Sequence, residues 1–168
     1  MRTHSSRLGP TLVVLLALCA SVAQAQDAPA PTADARVERL LKEAAVEYTV
    51  DEDGDFRLVY DIGGGRSQLV WIPSGTSDFG ALEIRQIWSI AHRSRGTLPV
   101  ELANRLLDRN GAVILGAWLT EPAGDELGVI FAVQVAAETD ALSLRSAIHA
   151  VATTADTMEN ELTGKDDF

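Results

Sequence analysis

Leu144–Leu162 reads LRSAIHAVATTADTMENEL, and its periodicity decides the fold. Leu144, Ile148, Val151, Ala155, Met158 and Leu162 recur at alternating steps of four and three residues, which puts all six on one face of a helix. An apolar stripe of that length has to be covered, and a β-sheet is the surface wide enough to do it. Thr139 or Asp140 is placed to cap this helix, and Gly164 to end it. The residues just upstream supply the rest of the layer. Pro99–Arg109 reads as a second helix burying Leu102 and Leu106, with Asn110-Gly111 as a left-handed stop. Ala112–Thr120 and Leu127–Val135 are nearly continuous apolar runs joined by Glu121–Asp125, a hairpin whose strands suit the sheet centre.

Earlier in the chain, Val37, Leu40, Leu41 and Ala44 form a short amphipathic stripe behind Asp34, a capping residue, so a first helix is expected from about Ala35 to Ala45. Tyr48–Val50 and Phe56–Tyr60 flank Asp51–Asp55, an Asp-Gly turn. Asp61–Arg66 turns the chain again into a strand at Ser67–Ile72. After Pro73–Asp78, Phe79–Ile90 alternates Leu82, Ile84, Gln86 and Trp88 against Glu83, Arg85 and Ile87, the pattern of a half-buried strand. His92–Arg95 is a basic cluster that could grip an acidic partner or an anionic ligand, against which stands the plainer reading of a solvated loop leading to the second helix. The expectation is an α+β domain over 36–164, an antiparallel meander packed by helices in the order α-β-β-β-β-α-β-β-α, with 165–168 fraying.

At the N-terminus, Arg2 and Arg7 precede the apolar run Leu12–Ala20, and Ala23-Gln24-Ala25 offers small residues for cleavage. This is the layout of a secretory signal peptide over 1–25, followed by a proline-bearing linker over 26–35. The run is short of the about 20 residues a spanning helix needs. Leu18 before Cys19 disfavours lipidation. Cleavage removes Cys19, the one cysteine, so disulfides, a thiol nucleophile and cysteine-held metal are excluded from the exported chain. It also removes Arg2 and Arg7 but no acid, taking the net charge from −10 to −12. A surface so anionic repels phosphate backbones and anionic headgroups, which argues against nucleic acid and, after cleavage, against a membrane.

Motifs for chemistry fail on inspection. Asp51–Asp55 lacks the glycine position and closing glutamate of a calcium loop. Gly63-Gly64-Gly65-Arg66 opens a strand rather than the helix a phosphate loop requires. His92 and His149 belong to no triad or metal-spaced set. No catalytic, cofactor or metal residue is expected, and no cofactor.

The element order looks like the type III secretion chaperone fold. Within that group Val37–Leu41, Tyr48–Asp55, Phe56–Val59, Arg66–Val70 and Ala103–Asn110 resemble the YbjN-domain family of bacterial sensory transduction regulators. The resemblance spans about Asp34 to Leu162. Most matching positions are structural, with Asn104 and Asn110 the distinctive ones. It implies a regulatory or chaperone-like role without an agreed activity, and the export signal sets this chain apart from cytoplasmic members.

Residues and resemblance together point to a periplasmic, non-enzymatic protein-binding module that holds a protein partner or a second copy of itself as a homodimer. The alternative is a small-molecule or envelope-stress sensor with its ligand between helices and sheet. Trp71, Trp88 and Trp118, each on a strand, and Asn104, sideways on the second helix, are the candidate contact residues. For the tryptophans the competing expectation is core packing beneath a helix. For Asn104 it is a structural hydrogen bond to a nearby carbonyl.

Overall fold

A computed structural model describes residues 32–168. The expected signal peptide, and the linker as far as residue 31, lie outside the described residues. The elements are α1 (Ala35–Glu43), β1 (Thr49–Val50), β2 (Phe56–Gly63), β3 (Arg66–Ile72), β4 (Ser77–Phe79), β5 (Leu82–Arg95), α2 (Val100–Asn110), β6 (Ala117–Ala123), β7 (Glu126–Ala136) and α3 (Ala141–Thr163). All strand pairings are antiparallel. The sheet runs β1-β2-β3-β5-β7-β6, with the short β4 paired to β5. The fold is α+β, as the patterning predicts.

Five of the six stripe residues of α3 are buried and Leu162 packs at the margin of the core. They lie against Phe56, Leu58, Val70, Ile72, Ile87, Val129, Phe131 and Val133 from the sheet and against Val37, Leu40 and Leu41 from α1. Asp140 caps α3 through the Ser143 N–H at 2.8 Å, and Gly164 closes it with a left-handed φ of 66°. The Asp51–Asp55 segment is the turn expected, since Asp51 Oδ1 accepts from the Asp53 and Asp55 N–H groups at 3.1 and 3.0 Å.

Four local expectations are corrected. The strand foreseen from Phe79 is two strands, because a turn at Gly80-Ala81 folds Phe79 back onto Leu82. The strand also does not stop at Ile90. β7 is long enough to pair with it through Arg95, past a bulge between Ile90 and His92, so the basic loop is strand. The strand expected at Ala112–Thr120 starts only at Ala117 and is the sheet edge rather than its centre. Gly116, at φ 91°, redirects the chain and lets it approach β7 closely. Finally, α2 ends at a Gly111 of φ −71°, not left-handed; the Asn110 side chain takes over, as described below.

Beneath the N-terminus of α1 lies a charged clasp. Arg85 is 2% exposed; it donates to the Pro73 and Ser74 carbonyls at 2.6 and 3.0 Å and to the Asp34 carboxylate. Asp34 also caps α1 at the Arg36 N–H (2.8 Å), and Arg36 bridges onward to Glu83 and Glu138 at 2.8 Å each. The Arg36 guanidinium, aided by Arg85, holds the Asp34 carboxyl well below the usual carboxylate range and brings Glu83 down to about 2.

A folded pKa below the unfolded one contributes stability that is complete above the unfolded value, near about 4, and is lost as pH falls toward the folded one. Acid titration of the melting temperature therefore shows a loss beginning below about pH 4 that Asp34→Asn reduces, with Glu83 keeping its own share. At pH 7 the variant Asp34→Ala strands the buried Arg85 and costs about 3–5 kcal/mol in denaturant unfolding. At Gly116 an added Cβ would lie 2.5 Å from the Ala132 carbonyl oxygen, so Gly116→Ala lowers the melting temperature sharply. Ala45→Gly raises it, because Ala45 sits at a left-handed φ of 53° that costs about 1 kcal/mol for a residue with a Cβ.

Candidate functional site

The more apolar half of β5 turns away from the helices. Arg85, Ile87, Ser89 and Ala91 face α3, which leaves Leu82, Ile84, Gln86 and Trp88 on the opposite side of the sheet. Directly opposed residues share a face, so the pairings define a row across that side: Thr49, Arg57, Trp71, Trp88, Ala132 and Ala117. At its centre Trp71 and Trp88 stack with ring centroids 4.5 Å apart and planes within 5°. The Arg57 guanidinium stands 5.7 Å from the Trp71 ring centroid, a cation–π distance. Around the row Val59, Phe79, Leu82 and Leu119 are exposed. Among the described residues no helix covers this face, and its large apolar side chains form a surface of the kind that marks an interaction site.

Beside the stacked pair the sheet is split. Trp71 and Trp88 are the one registered pair between β3 and β5. Beyond them a buried Gln68 replaces the ladder, donating to Ser89 Oγ at 2.8 Å and to the Ile90 carbonyl at 2.7 Å, while Ser89 Oγ donates to the Leu69 carbonyl at 2.6 Å. The residues after α3, expected to fray, come back over this seam. The Lys165 carbonyl accepts from Arg66 at 2.8 Å, the Asp166 carboxylate accepts from the Ser67 N–H at 3.2 Å, and the Asp167 N–H donates to Glu159 at 2.6 Å. Phe168 rests on a small second cluster of Ile90, Ile130 and Ala132 that also touches Trp71 and Trp88. The Arg93 guanidinium lies 5.8 Å from its ring centroid.

Asp156, Glu159 and Asp166 bring carboxylate oxygens within 4.8 Å of one another, a spacing that a metal could use. Arg66 already stands among them, 2.7 Å from Asp156 and 3.8 and 3.9 Å from Glu159 and Asp166. A cation would have to displace that guanidinium, so the cluster reads as the seat of Arg66. Glu159 is fully buried, with Oε2 lacking a hydrogen bond. Burial pushes its carboxyl pKa up, only partly opposed by the Asp167 N–H and by Arg66.

Trp118 and Asn104 stand apart from the indole pair. Trp118 is 6% exposed on the helix side, edge-on to Phe131 at 5.1 Å. Asn104 is exposed on α2. The amide that bonds a neighbouring strand is Asn110, which accepts from the Trp118 N–H at 2.6 Å and donates to its carbonyl at 3.3 Å. That contact, with Pro122 further along, blunts the free edge of β6 against strand addition. Between α2 and α3 lies a cleft of about 330 Å³ lined by Val113, Trp118, Met158, Thr157 and Arg109. At its mouth Arg105 and Arg109 both pair with Glu161. Neither His92 nor His149 joins this cleft; His149 meets the Tyr60 hydroxyl at 2.8 Å.

Of the candidate residues, then, Trp71 and Trp88 are brought together and Asn104 and Trp118 are not. Reading the residues alone missed Arg57, Ile90 and Phe168, while Arg93 belongs to the basic cluster His92–Arg95, which is strand rather than loop. Alternation along Phe56–Asp61 places Arg57 and Val59 on one face, a usable signal; nothing local signals where Phe168 returns. Residues 33–163 match a family model, YbjN, described as "Putative bacterial sensory transduction regulator". No curated protein matches the chain.

For Glu159 the folded pKa lies above the unfolded one, so the ionised carboxylate weakens the fold above the folded pKa and the penalty disappears below the unfolded pKa. Glu159→Gln keeps an acceptor for the Asp167 N–H while removing the charge. It raises the melting temperature at pH 7 by a few degrees and leaves it unchanged near pH 4, read by calorimetry across pH.

Proposed function

From the chain's membership of the YbjN family, we propose that it is an exported, non-catalytic, regulatory protein-binding module that holds a partner on the helix-free face of its sheet. The observation that carries this reading is the stacked Trp71–Trp88 pair at the centre of that face. Flat aromatic area next to exposed aliphatic side chains is what binding hot spots are made of, because a seated partner desolvates it at small entropic cost. The blunted β6 edge and the two-residue β1 direct a partner to the face rather than to an edge. Export is supported by the sequence of the first 25 residues, and a chaperone-like manner of holding another chain is in keeping with the element order.

A second reading, a sensor of small molecules in the envelope, has the α2–α3 cleft in its favour. Mass action separates the two readings, since a ligand of the cleft raises the melting temperature of the free chain.

The test is crosslinked capture from a periplasmic extract with the wild-type chain and with a Trp71→Ala/Trp88→Ala variant. Both side chains are part-exposed and outside the helix-side core, so the variant keeps its circular dichroism. It captures at least about tenfold less of the specific partner, the loss expected when two hot-spot aromatics of about 1–2 kcal/mol each are removed. Undiminished capture by a folded variant refutes this assignment of the face.

A further inference from the structure

The segment Asp166–Phe168 is seated like a ligand. Its carboxylate meets the Ser67 N–H, a donor that the β3–β5 split leaves without a strand partner. One residue on, a backbone N–H reaches the buried Glu159 carboxylate. Two residues on, an aromatic ring lies between the Arg93 guanidinium and the Ile90–Ile130–Ala132 cluster. Each contact makes a separate demand. The first position needs an acceptor of negative charge, the second a free N–H and hence no proline, and the third an aromatic ring. Little else holds the segment: Asp166 and Asp167 are exposed and Phe168 is half-buried.

We propose that the seam between β3 and β5 is a recognition groove for an acidic–any–aromatic segment of a partner protein, and that Asp166–Phe168 is its displaceable intramolecular occupant. The inference rests on the reading of the helix-free face as the partner surface and deepens it, naming the chemistry the partner presents. Charge favours such a segment. In a chain of net charge −10, Arg93 stands over the aromatic position and Arg57 lies further along the same face over Trp71; Arg66, 3.9 Å from the first carboxylate, is already paired with Asp156. An occupant in cis lowers the apparent affinity for a segment in trans by the fraction of time the groove is free, so the partner engages fully only where its own contacts along the Trp71–Trp88 row add to those of the groove.

The experiment measures binding of a fluorescein-labelled Gly-Lys-Asp-Asp-Phe peptide by anisotropy to the chain from residue 26 onward, to the same chain lacking 166–168, and to Phe168→Ala. The truncated chain and Phe168→Ala bind saturably and roughly tenfold tighter than the intact chain. Peptides with asparagine for the first aspartate, alanine for phenylalanine, or proline at the middle position bind at least about tenfold more weakly. Arg93→Ala in the truncated chain weakens the parent peptide. Circular dichroism establishes that each variant is folded, and Phe168→Ala, which leaves the Asp166 and Asp167 contacts in place, serves if truncation unfolds the chain. The proposal is overturned if folded variants bind no better than the intact chain, or bind all peptides alike. It is also overturned if light scattering shows the intact chain as a dimer that truncation dissolves, for the groove then holds a second copy's tail. Failure here with tryptophan-dependent capture intact removes only the groove, whereas loss of tryptophan dependence removes the face itself.

Discussion

The contact between the apolar stripe of α3 and the inner face of the sheet is the constraint on which the remainder depends. It supplies most of the core, and α1 joins the same layer through Val37, Leu40 and Leu41. Because the three helices of the described residues sit on one side, none of them covers the other side of the sheet. In a protein that only needed to fold, that side would alternate to polar residues. Here β5 presents Leu82, Ile84 and Trp88 to it and β3 presents Leu69 and Trp71. The one-sided architecture thus creates the candidate surface and leaves it apolar.

A second consequence comes from the break between β3 and β5. A continuous ladder would leave no unpaired N–H at Ser67 and no room for Gln68 to reach the Ile90 carbonyl. The register shift between Ile90 and His92 in the β5–β7 pairing lies at this point, and a bulge bends the strand that carries it. The opening is closed by side chains and by the residues following α3, so helix, seam and tail form one assembly: Arg66 at the start of β3 binds Asp156 on α3 and the Lys165 carbonyl. Within it Glu159 is buried with one carboxylate oxygen lacking a hydrogen bond, and burial raises its pKa.

Charge is distributed to similar effect. The acidic excess is spread over turns and exposed helix faces, while Arg36, Arg66 and Arg85 sit where they tie distant parts of the chain together. Arg85 is the clearest case: a buried guanidinium in the middle of a strand, satisfied by two carbonyls and by the carboxylate that caps α1. Such pairs set geometry more than they add net stability. They hold α1 over the sheet, and with it the depth of the core under β5.

What the amino-acid sequence determines by itself is whatever follows from local periodicity and turn chemistry. The α3 stripe, the Asp140 and Asp34 caps, the Asp51–Asp55 turn and the α+β class are all legible there, because each depends on residues within a few positions of one another. Tertiary structure alone decides which side of β5 is covered, since Leu82–Trp88 and Arg85–Ala91 are both apolar enough to be buried and only the placement of α3 chooses between them. It also decides that Trp71 meets Trp88 across the β4 excursion, that Ala112–Leu115 is loop, and that Phe168 returns to the sheet. Those outcomes are set by strand register and by contacts between residues far apart in the chain, whose energies no local window contains.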